Sequence, residues 1–405
     1  MLAVAGATAG TGGSSYSLFG IGDLRYLPNA RSAGMGYTGL ALPSANYINA
    51  VQPAAWSRIN RVRLEAGLLY EGFRASDGNR SLYLANADYS GALLAIPISM
   101  SDGIVAVLGF TPYSNVNYNL FVNRSQEGID YQLNYTGAGG VSRGIAGLSY
   151  SPLAGLSLGT SFNYMFGSVD RATKLSPLNS APNGGTYGGS TSTASMTMNG
   201  ITVTLGGQYT GFDAFSESLK PLSIGFMVTT RTAMKTQEDT KYQFLTGEDT
   251  ISHPNGRLTI PLSYGVGVAY QASDRYLLAA DFIAQNWGNA TFDGVDPSEI
   301  RNMYRIGIGA EKMPARDATT WLGRLVYRLG AFYHSSYYRL NSTAINEWGI
   351  TAGMSMSLFG EARMNSAVEY GSRGTISNGL VKDSFIRVMI SVTLSEQWFQ
   401  RYEED

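Results

Sequence analysis

From about residue 61 to residue 396 the chain alternates apolar and polar side chains with a period of two, and this constrains its fold more than any motif does. In Trp348–Leu358 the residues Trp348, Ile350, Ala352, Met354, Met356 and Leu358 share one face, while Gly349, Thr351, Gly353, Ser355 and Ser357 share the other. Ile386, Val388, Ile390, Val392 and Leu394 likewise oppose Arg387, Met389, Ser391 and Thr393, and Tyr304, Ile306, Ile308 and Ala310 oppose Arg305, Gly307, Gly309 and Glu311. Such a pattern marks strands with one face against an apolar medium. Helical periodicity is nearly absent. About fourteen segments can be separated, near 61–75, 86–98, 103–121, 136–150, 155–171, 193–213, 219–234, 258–272, 275–290, 302–314, 322–338, 344–358, 361–374 and 383–396. Many exceed the ~10 residues that cross a bilayer as a tilted strand.

The polar face shows which medium the apolar face meets. In a soluble sheet it would look onto water and carry many Lys and Glu. Here it is rich in Gly, Ser, Thr and Tyr, and only 15% of the chain is charged. The connections point the same way. Those after odd segments are mostly long and polar, such as the Gly/Ser/Thr-rich 172–192 and the charged 235–257. Those after even segments are mostly short, as at Ser99–Asp102, Ser151–Ala154, Ala272–Asp274 and Phe359–Gly360. Short turns at one end and long loops at the other predict an all-β, antiparallel transmembrane barrel of about 14 strands in the outer membrane of a Gram-negative bacterium. No run of about 18 apolar residues exists, so no transmembrane helix is expected.

Alternation carried around the barrel assigns Glu65, Glu71, Asp281, Arg305, Glu311, Arg324, Arg328, Arg363, Glu369, Arg373 and Arg387 to the lumen, where opposite charges can pair and brace the wall. On the lipid face each would cost about 2–4 kcal/mol at the midplane. Trp287 on the ninth segment is read as lumen-facing. Tyr and Trp near segment ends fit interface girdles, with Trp398 and Phe399 at the periplasmic one and Gln400–Asp405 beyond it. Net charge is -1, leaving no basic footprint for nucleic acid, and the absence of cysteine excludes disulfides and thiolate metal sites. The start, MLAVAGATAG, holds the A-x-A pattern Ala7-Thr8-Ala9 and reads as the last part of a signal peptide, residues 1–9.

Residues 10–60 do not fit the strand series. They precede the first strand and are expected to start on the periplasmic side, either hanging there or plugging the barrel mouth. SAGMGYTGLAL followed by NAVQPAAW, ahead of the strand series, resembles the FadL-type outer-membrane transporters of long-chain fatty acids and other hydrophobic compounds. The similarity is closest to the branch of Bacteroidetes and Chlorobi-like bacteria. It extends to PLSYGVGVAYQASDRYLLAADFIAQNW, YRIGIGAEKMPA, YRLGAFY and AVEYGSRG. The resemblance implies an N-terminal hatch (10–60) inside a barrel (61–396), a short periplasmic tail (397–405), hydrophobic ligand pockets and lateral release through a defect in the third strand. In many members the hatch carries Asn-Pro-Ala. Here the matching tripeptide is Gln52-Pro53-Ala54, with Asn49 three residues earlier. Leu18, Phe19, Ile21 and Leu24 are the apolar hatch residues expected to help line a pocket.

Two catalytic readings are weaker. Gly34-Met35-Gly36-Tyr37-Thr38-Gly39 is a literal G-x-G-x-x-G, but it lacks the preceding strand, the helix and the acidic residue of a dinucleotide site. Tight packing of a plug explains its glycines better. His334 with Ser335 or Ser336 could form part of a hydrolase site, yet the pattern lacks an orienting group. No enzyme activity, cofactor or metal is therefore expected. The expected partners are outer-membrane lipid, lipopolysaccharide and a hydrophobic ligand, with the chain a monomer. Service as a shuttle or attachment component of type IX secretion is the alternative.

Pro112 is the anomaly. It lies inside the third segment, and a closed barrel has no free edge on which to place a residue without an N–H. The ladder is therefore expected to be interrupted there, either by a local bulge that opens nothing or, as the family resemblance implies, by a kink at Phe110, Pro112 and Tyr113 that opens the wall between strands two, three and four.

Overall fold

The computed structural model describes residues 10–26, 29–179, 187–291 and 299–398. Residues 1–9, Phe399 and Gln400–Asp405 lie outside them. Fourteen antiparallel strands close into one barrel: β1 Val62–Ser76, β2 Ser81–Ser99, β3 Ile104–Pro112 resuming as Ser114–Gln126, β4 Ile129–Leu153, β5 Leu156–Pro177, β6 Ser190–Tyr209, β7 Leu222–Thr229 resuming as Thr232–Phe244, β8 Gly247–Ile260 resuming as Ser263–Ser273, β9 Tyr276–Gln285, β10 Met303–Lys312, β11 Val326–Leu340, β12 Thr343–Ser357, β13 Arg363–Gly374 and β14 Lys382–Glu396. Closure is made by β14 on β1, in register from Lys382↔Ser76 to Glu396↔Val62.

The exterior is what the alternation demanded. Tyr264, Val266, Val268 and Tyr270 on β8, Ile306 and Ile308 on β10, and Trp348 and Ile350 on β12 are exposed, while the residues between them face the interior. A continuous apolar exterior on a closed ladder is stable only in hydrocarbon. The molecule is an outer-membrane β-barrel. Aromatic side chains mark the outer edge of the belt, among them Tyr70 and Tyr83, joined OH to OH at 2.8 Å, and the contacting rings of Phe282, Tyr304 and Tyr333.

The alternation of connection lengths does not hold. At the end where the chain enters β1, residues 210–221 and 313–325 are long and carry 3-10 turns, whereas β3–β4, β7–β8 and β11–β12 meet at the other end in two-residue turns. The asymmetry resides in the strands instead. β4 has 25 residues and β5 has 22, roughly twice the ~10 needed for the bilayer, so they overshoot the outer face. The expected charged loop 235–257 is the top of the β7–β8 hairpin, paired from Thr232↔Ile260 to Phe244↔Gly247. Alternating Thr, Tyr and charged residues can form a ladder with both faces in water, so their polarity did not signal a loop.

Residues 12–26 and 29–59 fill the interior, and the inward glycines of the wall are the bed they rest on. Gly36 (φ +64°) lies so close to the wall that a Cβ there would sit 2.4 Å from the Ala331 carbonyl oxygen. On the wall side, a Cβ at Gly309 would meet Met35, and one at Gly225 would meet Leu40. Glycine on the polar face is thus needed for backbone-to-backbone contact.

Candidate functional site

A cavity of about 810 Å³ lies in the outer half of the barrel. Its apolar floor includes Leu18, Phe19, Met196, Leu258 and Ile300, with Tyr337 and Tyr338 beside them. Its rim carries Arg171, Glu238, His253, Arg257 and Glu299. Arg171 donates to the Gly20 carbonyl at 2.5 Å, and the Tyr337 hydroxyl donates to those of Phe19 (3.1 Å) and Gly22 (2.9 Å). These bonds hold the turn bearing Leu18 and Phe19 beneath the cavity. Ile21 is fully buried in the adjoining core, and Leu24 packs against the same cluster. Trp287 is not on β9 but in the 3-10 turn after it, where it stacks on Tyr337 at 4.5 Å.

Below the cavity the lumen is occupied. Arg25 reaches Glu71 at 2.5 Å, and Arg373 reaches Asp23 at 2.8 Å. Arg387 gathers Glu71 (2.9 Å), Glu347 (2.8 Å) and Glu369 (2.5 Å). Glu311 takes Arg31 (2.8 Å) and Arg328 (2.6 Å). Arg305 lies over the rings of Tyr26 and Tyr37, 4.6 and 5.2 Å from their centroids. Asp281 accepts from the backbone N–H of Gly39 (2.7 Å) and Leu40 (2.8 Å). Arg363 stands at the periplasmic mouth, lining an open cleft with Arg31 and Glu311. Arg324 departs from its expected place. It is exposed in the 3-10 turn Leu322–Arg324, outside the lumen, because β11 begins only at Val326 and the alternation was extended too far. Asp23, Arg25, Arg31 and Glu347 were missed. Glu347 has the same parity as Gly349 and Thr351 on β12, so that signal was present, whereas the others lie in an irregular segment without periodicity.

Nearer the periplasm, Gln52 Nε2 donates to the carbonyls of Leu40 (3.2 Å), Gly207 (3.3 Å) and Phe226 (2.9 Å). Asn49 Oδ1 accepts from the N–H of Val51 (2.9 Å) and Gln52 (3.0 Å). Pro53 opens the 3-10 turn Pro53–Arg58, and Ala54 is fully buried. These residues tie the floor of the segment to β6 and β7. His334 packs edge-on to Tyr26 at 5.1 Å, and Ser336 Oγ donates to the Ile345 carbonyl at 2.8 Å.

The wall itself is broken beside Pro112. β2 and β3 pair only as far as Ala92↔Phe110. Above that point Ser81–Gly91 pairs with β1 on its other side, and Ser114–Gln126 with β4. Three neighbouring strands bend at this level. β2 bulges at Ser90–Gly91 (Gly91 φ +126°), β3 at Pro112–Tyr113, and β4 at Gly139–Gly140 (φ +107° and +139°). Between Pro112↔Ser142 and Val116↔Gly139 β3 carries one residue more than β4, which is a bulge, so β3 and β4 stay joined. The seam is therefore between β2 and β3 alone. Phe110 faces outward against Tyr89, centroids 5.7 Å apart. Tyr113 points into the lumen, where its hydroxyl accepts from Gln285 on β9 at 3.2 Å.

The N-terminal segment occupies the seam rather than starting in the periplasm. Gly10–Thr11 runs parallel to Leu84–Ala85, and the Gly13 N–H donates to the Asn117 carbonyl at 3.0 Å. Farther on, Asp23–Leu24 pairs with Asn115 and Ser114, and the Arg25 N–H donates to the Tyr113 carbonyl at 2.8 Å. Open sheet edges attract strands, and here the chain supplies its own.

The same fold occurs in a FadL homologue of Pseudomonas aeruginosa (13% identity, TM-score 0.62, covering 92% of this chain and 98% of that one). It also occurs in the toluene transporter TodX of Pseudomonas putida (16%, 0.60, 93% and 100%) and the toluene transporter TbuX of Ralstonia pickettii (17%, 0.58, 91% and 98%). At such identities the likeness is one of fold. Among curated proteins none matches the sequence significantly. The sequence model of the BamG family, in contrast, matches residues 1–404, and on that match this barrel belongs to the BamG family.

Proposed function

We propose that the protein is a passive, monomeric outer-membrane uptake channel for hydrophobic small molecules, with fatty acids and hydrocarbons as the first classes to test. A ligand enters from outside, settles in the cavity over Leu18 and Phe19, and leaves sideways through the seam beside Pro112. Residues 10–60 act as the hatch. The observation that carries this reading is the end of the β2–β3 ladder at Ala92↔Phe110, above a lumen filled by buried ion pairs. A downward path would have to break several of these pairs, whereas the sideways path displaces only a short glycine-rich segment. Lipopolysaccharide is a polar barrier, and an apolar cavity lets a solute leave water before it reaches lipid. Each buried CH₂ contributes about 0.8 kcal/mol, so affinity needs few polar contacts. The toluene transporters and a monoaromatic hydrocarbon channel that share the fold support the class of solute.

The test is mass spectrometry of lipids and hydrocarbons extracted from the purified barrel, combined with uptake in a deletion strain. A co-purifying apolar molecule and slowed uptake are expected. No bound molecule together with unchanged uptake would overturn the reading.

A further inference from the structure

We propose that Asn115, Asn117 and Asn119 form a selectivity strip at the seam, suited to an amphiphile whose head is uncharged and hydrogen-bonding, such as a glycerol ester; this rests on the uptake reading above. On β3 above the kink, Val116 and Tyr118 are buried in the interior cluster, and Val122 is buried as well. Asn115, Asn117 and Asn119 alternate with them on the other face of the strand, half-buried beside the N-terminal segment. The seam that they border starts where the apolar belt ends, just above the exposed rings of Phe110 and Tyr89. A solute leaving there passes at the level of lipid heads, not at the hydrocarbon midplane.

The chemistry of this strip discriminates between solutes. Asn119 Oδ1 is buried with no hydrogen-bond partner, as is Asn134 Oδ1 on the neighbouring β4. An amide oxygen left in this state gains from a hydroxyl that donates to it, and gains nothing from a bare hydrocarbon or from a carboxylate. A carboxylate head would offer only acceptors, and Arg143, on β4 beneath the kink, already donates to Thr111 Oγ1 (3.2 Å) and the Ala50 carbonyl (3.4 Å). The cavity rim agrees independently. Arg171 and Arg257 stand there with Glu238 and Glu299, so the rim carries no net charge to favour a head of either sign. The apolar floor takes the tail.

The experiment compares protein-dependent uptake of dodecane, dodecanoate and monododecanoylglycerol. Cells lacking the protein are complemented with the wild-type chain, with Asn115→Leu, Asn117→Leu and Asn119→Leu together, or with the same three positions changed to Thr. The glycerol ester is expected to cross about ten-fold faster than either other probe. It should slow about ten-fold in the Leu variant and hold its rate in the Thr variant, with dodecane unaffected by either. Dodecane or dodecanoate crossing the wild-type barrel as fast as the ester would overturn the strip and leave the uptake channel standing, and this comparison needs no variant. An unchanged ester rate in a folded Leu variant would also overturn it. If no probe crosses in a protein-dependent way, the uptake reading falls as well.

Discussion

The two halves of the barrel wall are built differently. From β9 round to β1 the strands are continuous and 10 to 15 residues long, and their inward charges hold the N-terminal segment through Glu311, Arg373 and Glu71, with Arg387 joining Glu71 to Glu347 and Glu369. From β2 to β8 three strands are interrupted, several overshoot the membrane, and both the cavity and the seam lie within this half or against it. The first half holds the N-terminal segment chiefly by ion pairs, the second by hydrogen bonds to and from its backbone and Gln52.

The strongest way to break the comparison is to unfasten the ion-paired half. Arg387→Ala leaves Glu71, Glu347 and Glu369 facing one another in a buried setting, and removing one partner of such a network costs about 3–5 kcal/mol. Denaturant unfolding in detergent should show that loss, and a change below about 1 kcal/mol would mean that the ion pairs hold nothing. Next in size is Gly36→Val, which drives a branched side chain against the Ala331 carbonyl at a positive φ. A cost of about 1–3 kcal/mol is expected, with new protease cleavage between residues 30 and 60 as the hatch lifts.

In the half that holds the seam, Pro112→Val restores an N–H where the ladder fails. Uptake should slow about ten-fold with the barrel still folded, a barrier change of about 1.4 kcal/mol. Unchanged uptake in a folded variant would move the exit elsewhere. The smallest effect is predicted at the rim of that half. Lys241→Ala removes an exposed pair with Glu248 (2.7 Å) on the β7–β8 hairpin and should leave the unfolding midpoint where it was.

Much of the fold was legible because period-two alternation is local. Tyr304 to Glu311 told its two faces apart without any neighbour, and closure in the membrane followed from having no polar exterior. The lumen charges were legible for the same reason, including Glu347, which parity would have found. Arg324 shows the limit: alternation was continued past the true start of β11 into a turn. Asp23, Arg25 and Arg31 were not legible, since a segment without regular structure has no period to reveal which way its side chains point.

By itself, the sequence determined a strand count, an inside and an outside, and a proline in the third strand that a continuous ladder cannot accept. Those are properties of single strands, set by side-chain parity and by the missing N–H of Pro112. Only the tertiary structure decided that the seam runs between β2 and β3 while β3 and β4 stay joined, because that depends on bulges at Gly91 and Gly139–Gly140 lying at one height. It also decided that Gly10–Gly13 occupies the seam, and that the glycine-rich face of the wall is a bed for the backbone of the N-terminal segment. Contacts between segments far apart in the chain arise only when the barrel closes, and nothing local encodes them.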